Sequence, residues 1–89
     1  MKPKAQYLSY RDQPHKLEQN LRILREVKFK YRKANGQFRY ARGRIPLPWP
    51  RGGVGGQWGV TVTKDGREIL IYWDIDRGAV RSFYTNFLL

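Results

Sequence analysis

From residue 27 the chain alternates strictly. Val27, Phe29 and Tyr31 are apolar, while Lys28, Lys30 and Arg32 are basic. A period of two predicts a half-buried strand. Asn35-Gly36 follows, and both residues tolerate the positive φ of a tight turn, so the pair predicts a hairpin. The return runs through Phe38, Arg39, Tyr40, Ala41 and Arg42. One face of this hairpin can enter a core and the other presents cations. With Phe38 and Tyr40 pointing inward, Arg39 would join the lysine face and Arg42 would need a bend near Gly43 to escape burial.

Upstream the period lengthens. Leu17, Leu21 and Leu24 recur at i, i+4, i+7 with charged residues between them. This predicts an amphipathic helix over residues 13–25, with Asp12 as N-cap and Pro14 in its first turn. Downstream, residues 46–57 (PLPWPRGGVGGQ) exclude a regular element. Alternating and apolar runs then predict strands over 58–63, 68–74 and 79–84. Turns at Lys64–Arg67 and Asp76–Gly78 separate them. Thr85–Leu89 is expected to finish as a short turn on the core. Residues 1–11 show no period and form an N-terminal arm, leaving 12–89 as one domain. The fold class expected is mainly β: a small SH3/Sm-like five-stranded barrel with one N-terminal α-helix.

Composition adds charge. The net charge is +11, and residues 1–44 carry +10 of it. Such segregation concentrates polyanions near one part of a surface. There is no cysteine, which excludes disulfides and thiolate metal sites. No apolar run approaches the ~20 residues that span a bilayer, and no signal peptide is visible. A bacterial cytoplasmic setting, without membrane partners or cofactors, is the expectation.

Like charges facing one another across paired strands repel, so a basic hairpin face calls for an anion. Lys28, Lys30, Arg32, Arg39 and Arg81 are the first candidates to bind phosphate, with Arg42, Arg44 and Trp49 in support. Guanidinium forks grip phosphate bidentately and ammonium groups act as point charges. A mixed strip therefore suits backbone contact rather than base reading. Tyr31 and Trp49 are candidates for base stacking. Arg81 has two readings: an ion pair with Asp74 or Asp76, or a position in a ligand groove. Catalytic chemistry is thin. His15 is the one histidine and starts the predicted helix. No Ser/His/acid set assembles, and the two aspartates Asp74 and Asp76 are too sparse for a cation cage.

The stretch Ile71–Phe83 combines an aromatic pair, an aspartate, an acidic-basic-glycine turn and Arg-Ser-Phe. With Val27–Tyr31, Asn35-Gly36, Arg39, Ala41 and Gly43, it resembles small WYL-like proteins with an SH3/Sm-like β-barrel, known from Bacteroidetes, their phages and mobile elements. The resemblance covers residues 25–84. It implies a basic groove for negatively charged ligands, with Lys28 or Lys30, Arg39 and Arg81 in binding roles. Val80, where an aromatic is expected, departs from the pattern.

The function expected is thus a non-enzymatic binding module for nucleic acid or another phosphate-bearing ligand. One alternative is a small basic ribonuclease-type toxin acting by electrostatic stabilisation alone. The other is a protein-interaction or scaffold protein of a phage or mobile element, using the leucine helix or the PLPWP segment. In that case the leucines could also join two copies of the chain.

Overall fold

The computed structural model describes residues 7–46 and 57–89. A helix, α1 (Pro14–Ile23), precedes five strands: β1 (Val27–Arg32), β2 (Phe38–Arg44), β3 (Gly59–Val62), β4 (Glu68–Asp74) and β5 (Ala79–Tyr84). A 3-10 turn over Thr85–Phe87 follows. The strands form one antiparallel sheet organised around β4. One edge of β4 pairs with β5 along its whole length. Its other edge is divided, with β3 on residues 68–71 and the end of β2 on residues 73–74. β4 can serve three neighbours because its apolar run, Ile69–Trp73, is buried or half-buried on both faces.

The sheet is not closed. The outer edge of β1 is instead capped by the two ends of the described chain. Leu8 donates its amide to Lys28, and Leu89 donates its amide to Lys30. Tyr10 in turn donates to the Leu89 carbonyl, tying the two caps together. An edge strand so covered cannot recruit a further chain at those positions.

The core is aromatic. The rings of Tyr31 and Phe83 stack with centroids 4.1 Å apart, and Phe29 meets Tyr72 edge-on at 5.1 Å. Leu17 and Leu21 of α1 are fully buried against this cluster. Ile45 donates its amide to the Leu21 carbonyl, so the end of β2 is fastened to the helix.

The helix differs from expectation at both ends. Asp12 has φ 62°, in the left-handed region, and lies outside the helix, while Gln13 is the cap residue and makes no side-chain capping bond. At the other end Leu24 turns extended, and half of its surface is exposed. The buried stripe is therefore Leu17 and Leu21, without Leu24.

The hairpin holds the main correction. Arg32 pairs with Phe38, and Tyr31 with Arg39. Lys33 and Gln37 close the loop, so its tip is three residues, Ala34-Asn35-Gly36, not two. Only Gly36 has positive φ, at 86°, and Asn35 instead accepts the Gln37 amide through Oδ1 at 3.0 Å. A two-residue turn at Asn35-Gly36 would have set Tyr31 opposite Tyr40. The extra residue shifts the register by one and exchanges the faces of β2. Arg39 and Ala41 consequently share the face of Phe29 and Tyr31. Phe38 and Tyr40 join the lysine face, where Phe38 is 52% exposed. Gly43 lies inward, and Arg42 needs no bend because it was never directed at the core. The β3–β4 connection repeats the device, with Thr63 and Arg67 closing Lys64-Asp65-Gly66 and Gly66 at φ 86°.

Candidate anion-binding site

The cations of the hairpin fall on two surfaces. Lys28, Lys30, Arg32, Arg42 and Arg44 alternate with core residues and lie on the outer face. Arg42 is already engaged there. Its Nη1 donates to Glu26 at 2.9 Å and its Nη2 lies 3.0 Å from Asp76. Arg32 covers the ring of Phe38 at 5.3 Å. Arg44 is exposed near the end of β2. The outer strip is thus partly neutralised by carboxylates of the same chain.

Arg39 lies on the other surface, as does Arg81. Arg81 pairs with Tyr72 in the β4–β5 ladder, which places it on the same side as Tyr72 and Phe83. Together they line a cavity of about 430 Å³ between the hairpin tip and β5. Arg32 and Lys33 stand at its hairpin side, and Tyr31 and Phe83 also contribute to its lining. Four of the lining residues are cationic and none is acidic.

The two guanidinium groups are not equivalent. Arg81 Nε lies 3.5 Å from Asp74 Oδ2, and this aspartate is 3% exposed. The contact compensates charge, yet Arg81 Nε is buried and makes no hydrogen bond. Asp74 is further occupied by the Arg77 amide, which donates to Oδ1 at 3.1 Å. Arg81 thus pairs with Asp74, the first of its two readings, and also lines the cavity. Asp76, the other candidate partner, pairs with Arg42 instead. The Arg39 side chain forms no hydrogen bond or ion pair among the described residues, so its charge is uncompensated by direct contact there.

Behind these arginines lie two phenols. The hydroxyls of Tyr31 and Tyr72 share a hydrogen bond of 2.9 Å. Burial pushes the Tyr72 hydroxyl far above the ordinary tyrosine range, with the facing Tyr31 adding to the effect. Burial also raises Tyr31, and the hydrogen bond with Tyr72 and the positive fields of Arg39 and Arg81 oppose the rise. Both phenols are neutral at physiological pH.

The stacking candidates fare differently. Tyr31 is 3% exposed with its ring against Phe83, so no base can stack on it. Trp49 lies outside the described residues. Lys33 escaped attention in the sequence because it follows the alternating strand and precedes the turn. Its place at the loop, where binding residues concentrate, was the available signal. No group of three or more His, Asp or Glu side chains is placed to hold a metal among the described residues. No described helix is long and apolar enough to cross a membrane.

The fold invites comparison with known proteins. No curated protein and no solved structure matches the chain. Residues 15–89 match a family model described as WYL_2, Sm-like SH3 β-barrel fold. The match reaches further than the resemblance read from 25–84, because it takes in α1 as well as the C-terminal residues that cap β1. That extension agrees with the packing, since Leu17, Leu21 and Leu88 are part of one core with the strands. With five strands, a packed helix and a match over most of its length, the chain belongs to the WYL_2 family of Sm-like SH3 β-barrel fold.

Proposed function

We propose that this protein is a non-enzymatic binding module for nucleic acid or another phosphate-bearing anion. The observation that carries the reading is the composition of the cavity between the hairpin tip and β5. Arg32, Lys33, Arg39 and Arg81 line it without an acidic neighbour in the lining. Its volume, about 430 Å³, falls within the usual range of ligand pockets, roughly 300–1,000 Å³. Gathering four like charges around one opening is unfavourable even with Asp74 beside Arg81, and a bound phosphate lowers that repulsion. The net charge of +11 adds long-range steering for polyanions.

The outer strip of Lys28, Lys30, Arg42 and Arg44 serves in this reading as an auxiliary surface for the ligand's backbone. Its Arg42 is less available, being held by Glu26 and Asp76. A bacterial or phage setting belongs to the same reading and rests on the resemblance of the Ile71–Phe83 stretch.

The test is fluorescence anisotropy with labelled single-stranded and duplex oligonucleotides at about 50 and 200 mM salt. Wild type is compared with Arg39→Ala/Arg81→Ala. Micromolar binding that weakens steeply with salt and in the double variant is the expected result. Absence of binding at low salt would overturn the nucleic-acid reading. Salt-resistant capture of a protein through the helix would favour the interaction alternative. Cleavage of the probe that is lost in Arg39→Ala while binding survives would favour the ribonuclease alternative.

A further inference from the structure

The arginine-lined cavity does not end at β5. A second opening, of about 600 Å³, shares Ala34, Tyr84 and Phe87 with it. The two openings adjoin at those residues. A third opening, on the hairpin's other flank, contains Arg11, Arg32 and again Phe87. Phe87 thus borders three concavities, and it is half-buried in a 3-10 turn that buries none of its residues.

Tyr84 and Phe87 meet edge-on with ring centroids 6.1 Å apart and planes 85° apart. The guanidinium of Arg67 lies 5.2 Å from the Tyr84 centroid, on the side of the second opening. The sole carboxylate lining either opening, Glu68, accepts a hydrogen bond from Thr85 Oγ1 at 2.8 Å and is thereby engaged. The groove therefore carries cations at one end and an aromatic wall flanked by an arginine at the other. The outer lysine strip carries aromatics of its own, Phe38 and Tyr40, but there Arg32 covers the Phe38 ring.

Resting on the phosphate-binding reading of the same cavity, we infer that Tyr84 and Phe87 form a base-stacking wall and that the ligand is single-stranded nucleic acid. Arg39 and Arg81 hold backbone phosphate, and a neighbouring unpaired base lies against the Phe87 ring. Tyr84 meets the Phe87 ring edge-on and carries the Arg67 guanidinium over its own face, which fixes the wall beside that base. Duplex cannot use the wall, because its bases are stacked on one another within the helix. Stacking of a base on a protein aromatic is tolerant of sequence, so the preference is for strandedness rather than for a particular base.

The experiment separates the wall from the phosphate cradle. Two labelled 12-mers of equal charge are used, one a normal single strand and one abasic throughout. Wild type is expected to bind the normal strand about tenfold more tightly than the abasic one. Phe87→Leu and Tyr84→Leu keep apolar bulk without a π-face and bring the ratio of normal to abasic affinity to about one. Their thermal melts are recorded beside the titrations to establish folding. Arg39→Ala weakens binding of both probes equally. Equal affinity of wild type for the two probes would overturn the stacking wall and leave the phosphate reading standing. Failure of wild type to bind either probe at 50 mM salt would overturn both.

Discussion

The hydroxyls of Tyr31 and Tyr72 hydrogen-bond at 2.9 Å across the core, from strands that do not pair with each other. One hydroxyl donates and the other accepts, so each phenol has a partner in the core. Both have acidities weakened by burial. A group whose folded pKa is raised contributes stability that is present below its unfolded pKa and lost as pH rises above it. The unfolded value for tyrosine is about 10, so the loss begins near pH 10. Stability should fall there by about 1.4 kcal/mol per pH unit for each tyrosine. Urea titrations between pH 9 and 11.5 measure this fall. In Tyr31→Phe/Tyr72→Phe the slope should be shallower than in wild type.

Arg39 and Arg81 separate binding from stability. The Arg39 side chain makes no hydrogen bond or ion pair among the described residues, so Arg39→Ala should change stability by no more than about 0.5 kcal/mol. Arg81 faces the buried Asp74 at 3.5 Å. Arg81→Ala leaves that carboxylate without its cation and should cost about 1–3 kcal/mol. Both changes should weaken anion binding, by about tenfold each. Chemical denaturation and anisotropy on the same preparations test the split. Equal stability losses would contradict the difference in compensation between the two sites.

Salt dependence counts the phosphates neutralised. With the four cations of the cavity engaged, the log–log slope should be about −2.8 for a single strand. A slope of about −5 or steeper would mean that the outer strip binds as well. Lys28→Gln/Lys30→Gln would then reduce the slope, whereas it should leave it unchanged if the cavity alone is used.

Gly43 marks the closest approach of β2 to the core. A methyl group there would sit 2.7 Å from Tyr72 Cδ2 and 3.2 Å from Phe29 Cε1. Both rings are fully buried, so one of them or the strand must shift. Gly43→Ala should therefore cost about 1–3 kcal/mol. For a domain of this size that lowers Tm by roughly 4–8 °C for each kcal/mol, measurable by circular dichroism.

The leucines of α1 give a contrast within one helix. Leu21 is fully buried and Leu24 is 50% exposed. Leu21→Ala should cost about 2–5 kcal/mol by leaving a cavity. Leu24→Ala should cost less than about 0.5 kcal/mol. Equal losses would show that Leu24 is covered in solution, as it would be between two copies of the chain.

Much of this architecture is readable from residues alone. The boundaries of β4 and β5 coincide with the expected 68–74 and 79–84, because apolar runs end there at polar, glycine-containing turns. The core face of β1 follows from Val27, Phe29 and Tyr31, where alternation and burial agree. Helix ends were less legible. Asp12 offers a capping side chain, yet the chain places it in a left-handed conformation one residue too early. Leu24 continues the heptad-like spacing but follows the last helical residue.

The face of β2 shows where local pattern stops. Phe38 and Tyr40 are the larger apolar residues of that strand, and residue type favours turning them inward. Asn35-Gly36 also favours the two-residue turn that would have done so. The molecule instead uses a three-residue tip with glycine alone at positive φ. The inward positions opposite Tyr31 and Phe29 then receive Arg39 and Ala41, and Ala41 leaves room for the aromatic cluster. The price is an arginine on the core side, at the open end of the cavity where its charge can remain near solvent.

Sequence alone determined that this would be a basic, helix-plus-β domain, since periodicity, turn residues and charge are local properties of the chain. Pairing across the sheet decided which cations share a site. Arg39 and Arg81 are 42 positions apart and belong to strands that never touch as a ladder. They line one cavity because one loop residue sets the register of β2 and because β4 carries β2 and β5 on its opposite edges. The wall of Tyr84 and Phe87 likewise exists only because the 3-10 turn folds back beside the hairpin tip. Contacts of that range depend on the sum of all packing terms, which no short window of sequence contains.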